Sequence, residues 1–308
     1  MKPFSIFVFD SFDFQPETGV IELKYSMRGD EGNVEFTEKL LLGRERREWN
    51  QADIEAFHRA LFALHMIGGV SYYKTCLPKK IEVKSGKLTD DQAAFFGSVY
   101  ENGLGEFFYK NQIDFRGLIE FPSVPGTPAP LEKTERPGSA KRILVPIGGG
   151  KDSLVTAELL KKAGHNVTLF RMGSHPLIEE LAKTAGLPLL TIERHLSPAL
   201  FDLNAEGALN GHVPITAYLS CVAMILAILE GFDAVVLSNE RSANEGNVEM
   251  FGTEINHQWS KSLEFEEAFQ HYLADFVTKD VAYFSLLRPL SELHISKLYC
   301  GYPQYFAH

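Results

Sequence analysis

The sequence predicts an α/β protein: a doubly wound parallel sheet preceded by a smaller α+β domain. Three observations carry this expectation. From about residue 141 onward, short runs of buried-type residues alternate with amphipathic helical patterns, the rhythm of βαβ units joined by right-handed crossovers. Near the amino terminus, apolar and polar residues alternate one by one, as in hairpin strands. Between these regions lie Pro122, Pro125, Pro128, Pro130 and Pro137, with Gly126 and Gly138, which neither a helix interior nor a central strand accepts. The expected division is an α+β domain over 1–124, a linker over 125–140 and an α/β domain over 141–308.

Taken in order, residues 1 to about 45 read as hairpin-like strands turning at Arg28–Asn33. Ala52–Met66 carries Ile54, Phe57, Leu61 and Leu64 near helical spacing and stops at Gly68-Gly69. Thr89–Tyr100 reads as a helix with Thr89 as its N-cap and Asp90-Asp91 in the first turn. Tyr72-Tyr73 and Phe107-Phe108-Tyr109 read first as core; the rival reading is a substrate platform, with Lys74 and Lys110 beside it for an anion. After the linker come strand Ile143–Ile147, helix Asp152–Ala163 ending at Gly164, strand Val167–Met172, helix Pro176–Ala185 ending at Gly186, and strand Leu187–Ile192. A long helix Ile215–Glu230 ends at Gly231. Strand Ala234–Leu237, a helix near Leu263–Phe276 and a strand near Tyr283–Leu286 complete the series.

The chain has 308 residues, 30 basic against 40 acidic, and a net charge of −10. That balance weighs against non-specific nucleic-acid binding, which needs a basic surface. Cys76, Cys221 and Cys300 show no CxxC spacing, so neither a disulfide framework nor a zinc site is expected, and a reducing cytoplasm is the natural setting. No signal peptide is evident, and the apolar run Ala217–Leu229 is too short to span a bilayer. Nothing in the sequence fixes an oligomeric state.

The stretch Arg142–Ser153, RILVPIGGGKDS, is a buried-type strand that breaks on three glycines and resumes as a helix. Glycine admits close approach of the backbone to an anion, and a helix N-terminus offers unpaired N–H groups and the positive dipole end. A Walker A loop fails here, because Gly150-Lys151 is followed by Asp152 and Val145 stands where the first glycine belongs. A dinucleotide GxGxxG fails too, with Asp152-Ser153 in place of the spaced third glycine.

The pattern that fits resembles the PP-loop ATP pyrophosphatases, SGGxDS at the mouth of the first strand. Gly149, Gly150, Asp152 and Ser153 match it, and Gly148 replaces the usual serine. The resemblance implies a PP-loop, adenine nucleotide α-hydrolase-like fold that binds ATP with Mg²⁺ and forms AMP and diphosphate. It implies that Gly148, Gly149, Gly150, Lys151, Asp152 and Ser153 hold the phosphates, that Asp152 binds the metal or orients the loop, and that adenine lies near Arg171 and Met172.

Ligands of open α/β sheets bind beyond the carboxyl ends of the strands. Asn210–Pro214 falls there, as does the stretch Ser238–Ser262, long and without clear periodicity and therefore expected to serve function. In its bland reading this is a solvated loop in which Ser262 caps the next helix. The motifs GGGKDS, SNERSANEGN, NHQWSKS and RPLSEL behind an aromatic-rich first half resemble the UDP-N-acetylmuramoyl-L-alanyl-L-glutamate epimerases of bacteria. That resemblance implies ATP-dependent activation of the terminal L-Glu of UDP-MurNAc-L-Ala-L-Glu as an acyl-adenylate, inversion at Cα and release of AMP. The substrate is then a small nucleotide-sugar peptide. His212, Glu240, His257 and Lys261 are the candidate proton carriers, and Asn239, Arg241, Asn244 and Asn247 the candidate substrate contacts, Arg241 for the side-chain carboxylate. The runner-up is another AMP-forming PP-loop enzyme, an amide ligase or a nucleoside- or tRNA-modifying enzyme. The aromatic last residues, Tyr299–His308, are unusual for a free terminus and predict a chain cut short within its second domain.

Overall fold

The computed structural model describes residues 4–30, 32–42, 49–127, 130–133, 141–246 and 248–308. Asn247, Glu31 of the expected first turn, and Pro128, Pro137 and Gly138 of the expected linker lie outside the described residues. The elements are β1 (Ile6–Gln15), β2 (Val20–Gly29), β3 (Gly32–Leu41), α1 (Gln51–Gly68), α2 (Val70–Tyr73), β4 (Lys80–Val83), α3 (Asp90–Gly103) and α4 (Gly105–Asn111), then β5 (Arg142–Pro146), α5 (Lys151–Lys162), β6 (Asn166–Met172), α6 (Pro176–Ala185), β7 (Leu189–His195) and α7 (Pro198–Ala205), and finally α8 (Ile215–Glu230), β8 (Ala234–Leu237), β9 (Val248–Met250), β10 (Thr253–Ile255), α9 (Leu263–Phe276), β11 (Ala282–Ser285) and α10 (Glu292–Tyr299).

Local chemistry accounts for the helix ends. Asn50 and Asp53 form a capping box on α1, and Thr89 and Gln92 form one on α3, each satisfying N–H groups that a helix start leaves unpaired. Ser262 accepts from the Phe265 amide and caps α9. Gly186 and Gly231 adopt the left-handed conformation at the ends of α6 and α8, where a side chain would be strained.

Nine strands form one sheet in the order β11-β8-β5-β6-β7-β3-β2-β1-β4. From β11 to β7 all neighbours are parallel. This part is doubly wound: Ile143, Val145, Val167 and Leu169 pack with α5 and α6 on one face, while Leu144, Phe170 and Val235 pack with α8 and α9 on the other. Successive residues of a strand face opposite sides, so strands covered on both faces read as continuous apolar runs. No described helix is long and apolar enough to cross a membrane. The fold class is therefore the α/β class expected, with an α+β first half.

The two halves share this sheet. β7 reaches His195 rather than Ile192 because Lys39, Leu40 and Leu41 of β3 pair antiparallel with His195, Arg194 and Glu193. It starts at Leu189 rather than Leu187 because the Leu187 amide is still bonded to Ala182 at the end of α6. At the joint, the Glu38 carboxylate is wholly buried. It accepts two hydrogen bonds of 3.0 Å from the Arg194 guanidinium and one each from the Tyr72 and Tyr218 hydroxyls. Arg194 also stacks 3.7 Å over the Tyr218 ring.

One further expectation is revised, and the core reading of Tyr72, Tyr73, Phe107 and Phe108 holds. The stretch after β8 is not unstructured: β9 and β10 form a hairpin within it, too short to leave a periodic trace. Tyr72, Tyr73, Phe107 and Phe108 are fully buried, so they are core and not a substrate platform. The aromatic carboxyl terminus folds back onto the body, where buried Tyr305 bonds Glu158 of α5 and His308 contacts Thr184 and Glu180 of α6.

Candidate functional site

The sheet reverses its winding at β5: β6 and β7 extend it on one side, β8 and β11 on the other. The crevice beyond the carboxyl ends at such a point is where open α/β sheets bind ligands. Gly148–Ser153 occupies it. Gly149 takes φ +88°, a conformation that favours glycine. A Cβ at Gly148 or Gly150 would meet nothing within 4 Å, so the protein's own packing does not require glycine there. What these residues leave open is approach from outside. Gly150 is the N-cap of α5 with no side chain capping it, while the Ser153 hydroxyl rests on the Gly150 carbonyl at 3.0 Å.

Groups suited to an anion surround the loop. At the end of β6, Arg171 donates from Nη2 to the Met172 carbonyl at 3.3 Å. Its Nε and Nη1 are buried with no partner among the described residues, as is the Ser238 hydroxyl just after β8. Buried donors without partners are costly, and an arriving nucleotide is one means of satisfying them. Met172 packs against the core. Lys151 Nζ lies 2.9 Å from Asp152 and 2.6 Å from Glu292 of α10; burial works against its charge, yet the two carboxylates raise its pKa. Among the described residues no three His, Cys, Asp or Glu side chains are grouped to hold a metal ion. A lone Asp152 is compatible with Mg²⁺, which commonly takes one or two carboxylates and completes its shell with water and phosphate oxygens. The loop thus fits ATP with its cation.

The second constellation lies along Asn239–Ser262. Glu240 spends its carboxylate on the Ser242 amide and hydroxyl, capping a short 3₁₀ turn over Arg241–Asn244. Its Oε atoms are thereby engaged, unlike those of a free proton carrier. Arg241 is exposed and Asn239 half-buried. Asn244 Oδ1 accepts from the Leu263 amide at 2.6 Å, and Asn244 lines a cavity of about 520 Å³ together with Glu101, Asn256 and Trp259.

His212 precedes α8 and is half-buried. Burial holds its pKa below the usual value, opposed by Glu106, with His257, Lys110 and Lys261 also within electrostatic reach. His257 and Lys261 thus lie near enough for their charges to act on His212, while the Glu240 carboxylate caps the turn that follows it.

Three residues of this region were not singled out from sequence. Glu106 of α4 lies 3.4 Å from His212 Nδ1 and pairs with Lys110; its i,i+4 relation to Lys110 was the available signal. Arg288 donates to the carbonyls of Glu240 and Lys261 at 3.1 and 2.8 Å and to the Glu266 carboxylate at 2.6 Å. Glu292 binds Lys151. Arg288 and Glu292 both fall within the RPLSEL motif, which carried no role in the reading. Buried Lys74, considered as an anion holder, instead donates to Asn210 at 2.9 Å.

Residues 1–286 match the family model described as the MurL N-terminal domain. The chain is 42% identical over 305 residues to a UDP-N-acetyl-alpha-D-muramoyl-L-alanyl-L-glutamate epimerase of Xanthomonas oryzae pv. oryzae, covering 99% of this chain and 66% of that protein. It is 38% identical over 306 residues to a protein of the same name from a Micromonospora strain, covering 99% and 68%. The chain therefore spans about two thirds of the length of the curated relatives it matches. Among solved structures, a protein titled a predicted subunit of tRNA methyltransferase from Methanocaldococcus jannaschii is similar over 52% of this chain and 76% of its own, at 19% identity and a TM-score of 0.35.

Proposed function

The chain belongs to the MurL family, and from that membership we propose that it carries out ATP-dependent epimerisation of the terminal L-Glu of UDP-MurNAc-L-Ala-L-Glu. The observation that carries the reading is the loop Gly148–Ser153: an open backbone cradle on a helix N-terminus at the reversal point of a parallel sheet. ATP would be held by the backbone N–H groups of Gly149–Ser153, the Ser153 hydroxyl, Lys151 and Arg171, with Asp152 toward Mg²⁺. It supplies activation of the glutamate α-carboxylate as an acyl-adenylate, with diphosphate as leaving group.

Activation replaces the carboxylate's negative charge with an anhydride, so charge left at Cα can delocalise into the carbonyl and the Cα–H becomes more acidic. His212, whose pKa burial lowers, is suited to take that proton. Inversion then needs a proton delivered to the opposite face, for which His257 and Lys261 are the neighbouring groups. Arg241, Asn239 and Asn244 stand at the same sheet edge for the substrate's carboxylate and amides. Water finally releases AMP.

The test is incubation with ATP, Mg²⁺ and UDP-MurNAc-L-Ala-L-Glu in D₂O. AMP, diphosphate and deuterium at the glutamate Cα in the D configuration are expected. AMP without deuterium points to another AMP-forming reaction of the same loop. No AMP refutes the reading of Gly148–Ser153.

A further inference from the structure

The loop carrying His212 is built largely by the first half of the chain. The Leu209 amide donates to the Thr75 carbonyl at 3.0 Å. Lys74, only 4% exposed, donates to Asn210 Oδ1, which also accepts the Gly211 amide at 2.9 Å. Pro214 presses so closely on Gly103 at the end of α3 that a Cβ there would lie 2.7 Å from the proline ring. A buried ammonium with a neutral partner is costly, and a glycine within a helix is less favourable than alanine. Both features hold this one loop, whose outcome is the placement of the His212 ring against α4. There Glu106 faces it through Oε2 at 3.4 Å, while Oε1 is held by Lys110.

We propose that Glu106 is a positioning residue for proton transfer, accepting the Nδ1–H of His212 so that the Nε2 lone pair faces the substrate Cα–H. The inference rests on the epimerase reading and adds the first half of the chain to its chemistry. A histidine's tautomer is set by the hydrogen bond its other nitrogen makes. A contact of 3.4 Å is long for that bond, and such contacts commonly tighten when substrate binds. In the step itself the Cα–H bond breaks, its electron pair enters the activated carbonyl, and an N–H bond forms at Nε2. The resulting imidazolium is stabilised by the Glu106 carboxylate, and His257 and Lys261, the other groups within electrostatic reach, make up the returning wall of the proposed transfer. The proton returned from that wall balances the one removed.

Two measurements test this. Nitrogen-15 NMR of the imidazole, assigned by the signals lost in His212→Gln, is expected to show the Nδ1–H tautomer, with the tautomer mixture changed in Glu106→Ala. An Nε2–H tautomer in the unaltered protein overturns the proposal, whether or not the chain proves to be an epimerase. In the D₂O assay, Glu106→Ala is expected to form AMP at a rate within about threefold of the parent while deuterium incorporation falls about 10–100-fold, the scale usual for groups that orient a working histidine. Glu106→Gln keeps an acceptor oxygen but no charge; it is expected to lose less and to shift the acid limb of the pH profile downward. Equal loss of AMP and deuterium in Glu106→Ala, or no loss of either, overturns the proposal. Absence of AMP or deuterium with the parent protein counts against the epimerase reading and leaves the tautomer measurement to decide on Glu106.

Discussion

Three single substitutions in the glycine loop separate what the fold needs from what a nucleotide needs. Gly149 adopts φ +88°, and its added Cβ would be 3.4 Å from Ile178, an ordinary contact. The cost of Gly149→Ala is therefore conformational, about 1–2 kcal/mol. In a chain of 308 residues that lowers the melting temperature by about 1.5–3 °C. Gly150 has φ −83° and ψ 161° with nothing near its Cβ position. For Gly150→Ala, the poorer N-cap costs about 0.5–1 kcal/mol. The stiffer unfolded chain returns about 0.4–1 kcal/mol. Stability is then unchanged, but the new methyl group stands where a phosphate must approach the first N–H groups of α5. Losing one hydrogen bond to a charged group costs about 1.5–3 kcal/mol, or about 10–150-fold in affinity. Gly148→Ser, equally free of neighbours, restores the hydroxyl usual in PP-loops and is expected to tighten binding about fivefold, as for about 1 kcal/mol. Calorimetric titration with a non-hydrolysable ATP analogue and Mg²⁺, beside thermal unfolding without ligand, measures both effects. A stably folded Gly150→Ala that binds the analogue as tightly as the parent refutes the cradle.

Three other outcomes follow from buried charges. His65 is fully buried, and burial lowers its pKa from 6.5 to about 4. Between those values the unfolded chain binds a proton that the folded chain does not, so stability falls as pH drops through this window, by about 3 kcal/mol in all. Urea denaturation from pH 7.5 to 4 checks this, and His65→Leu, less stable throughout, should show a flatter slope over that range. Glu38→Ala leaves the Arg194 guanidinium buried without its partner, at a cost of about 3–5 kcal/mol; calorimetry should show one transition shifted down, since the pair joins both halves. Arg288→Ala strands Glu266 at a similar cost. Arg288→Lys retains a charge near Glu266 but not the planar fork, so hydrogen exchange should quicken along 239–262 while much of the stability is kept.

The parallel half was legible in the sequence because its punctuation is local. The bounds of α6, α8 and α9 follow from runs that end in a left-handed glycine or begin at a capping serine, and β8 is a short run of apolar residues. What escaped is set by distant partners. The antiparallel pairing of β3 with β7 has no sequence signature, since register is chosen by packing, and it carried β7 to His195. The hairpin β9–β10 has only three residues in each strand, too few for alternation to register. The loop Gly148–Ser153 could be singled out because its glycines and the helix start they lead into are consecutive residues. The cap that Glu240 places on the following turn could not be read from type and position, because it depends on how that turn folds. Glu106 lies in an aromatic-rich run that reads as core, and only the approach of the Leu209–Pro214 segment gives its carboxylate a partner across the chain.

The two constellations are linked by one short segment. Arg288 bonds the Glu240 and Lys261 carbonyls, the Leu290 carbonyl accepts the Arg241 amide at 3.2 Å, and Glu292 holds Lys151 of the phosphate loop. Even fully extended, the backbone from Arg288 to Glu292 spans at most about 14 Å, so the Cα atoms of the two anchoring residues are no farther apart than that. Buried Glu266 fixes the segment in turn, binding both Arg288 and the Ser285 amide at the end of β11. The carboxyl end of one strand therefore supports both regions. A reaction that activates a carboxylate and moves the adjacent Cα proton needs two such regions a few bond lengths apart on the substrate, and a shared rigid mount supplies that constraint more directly than two independent loops would.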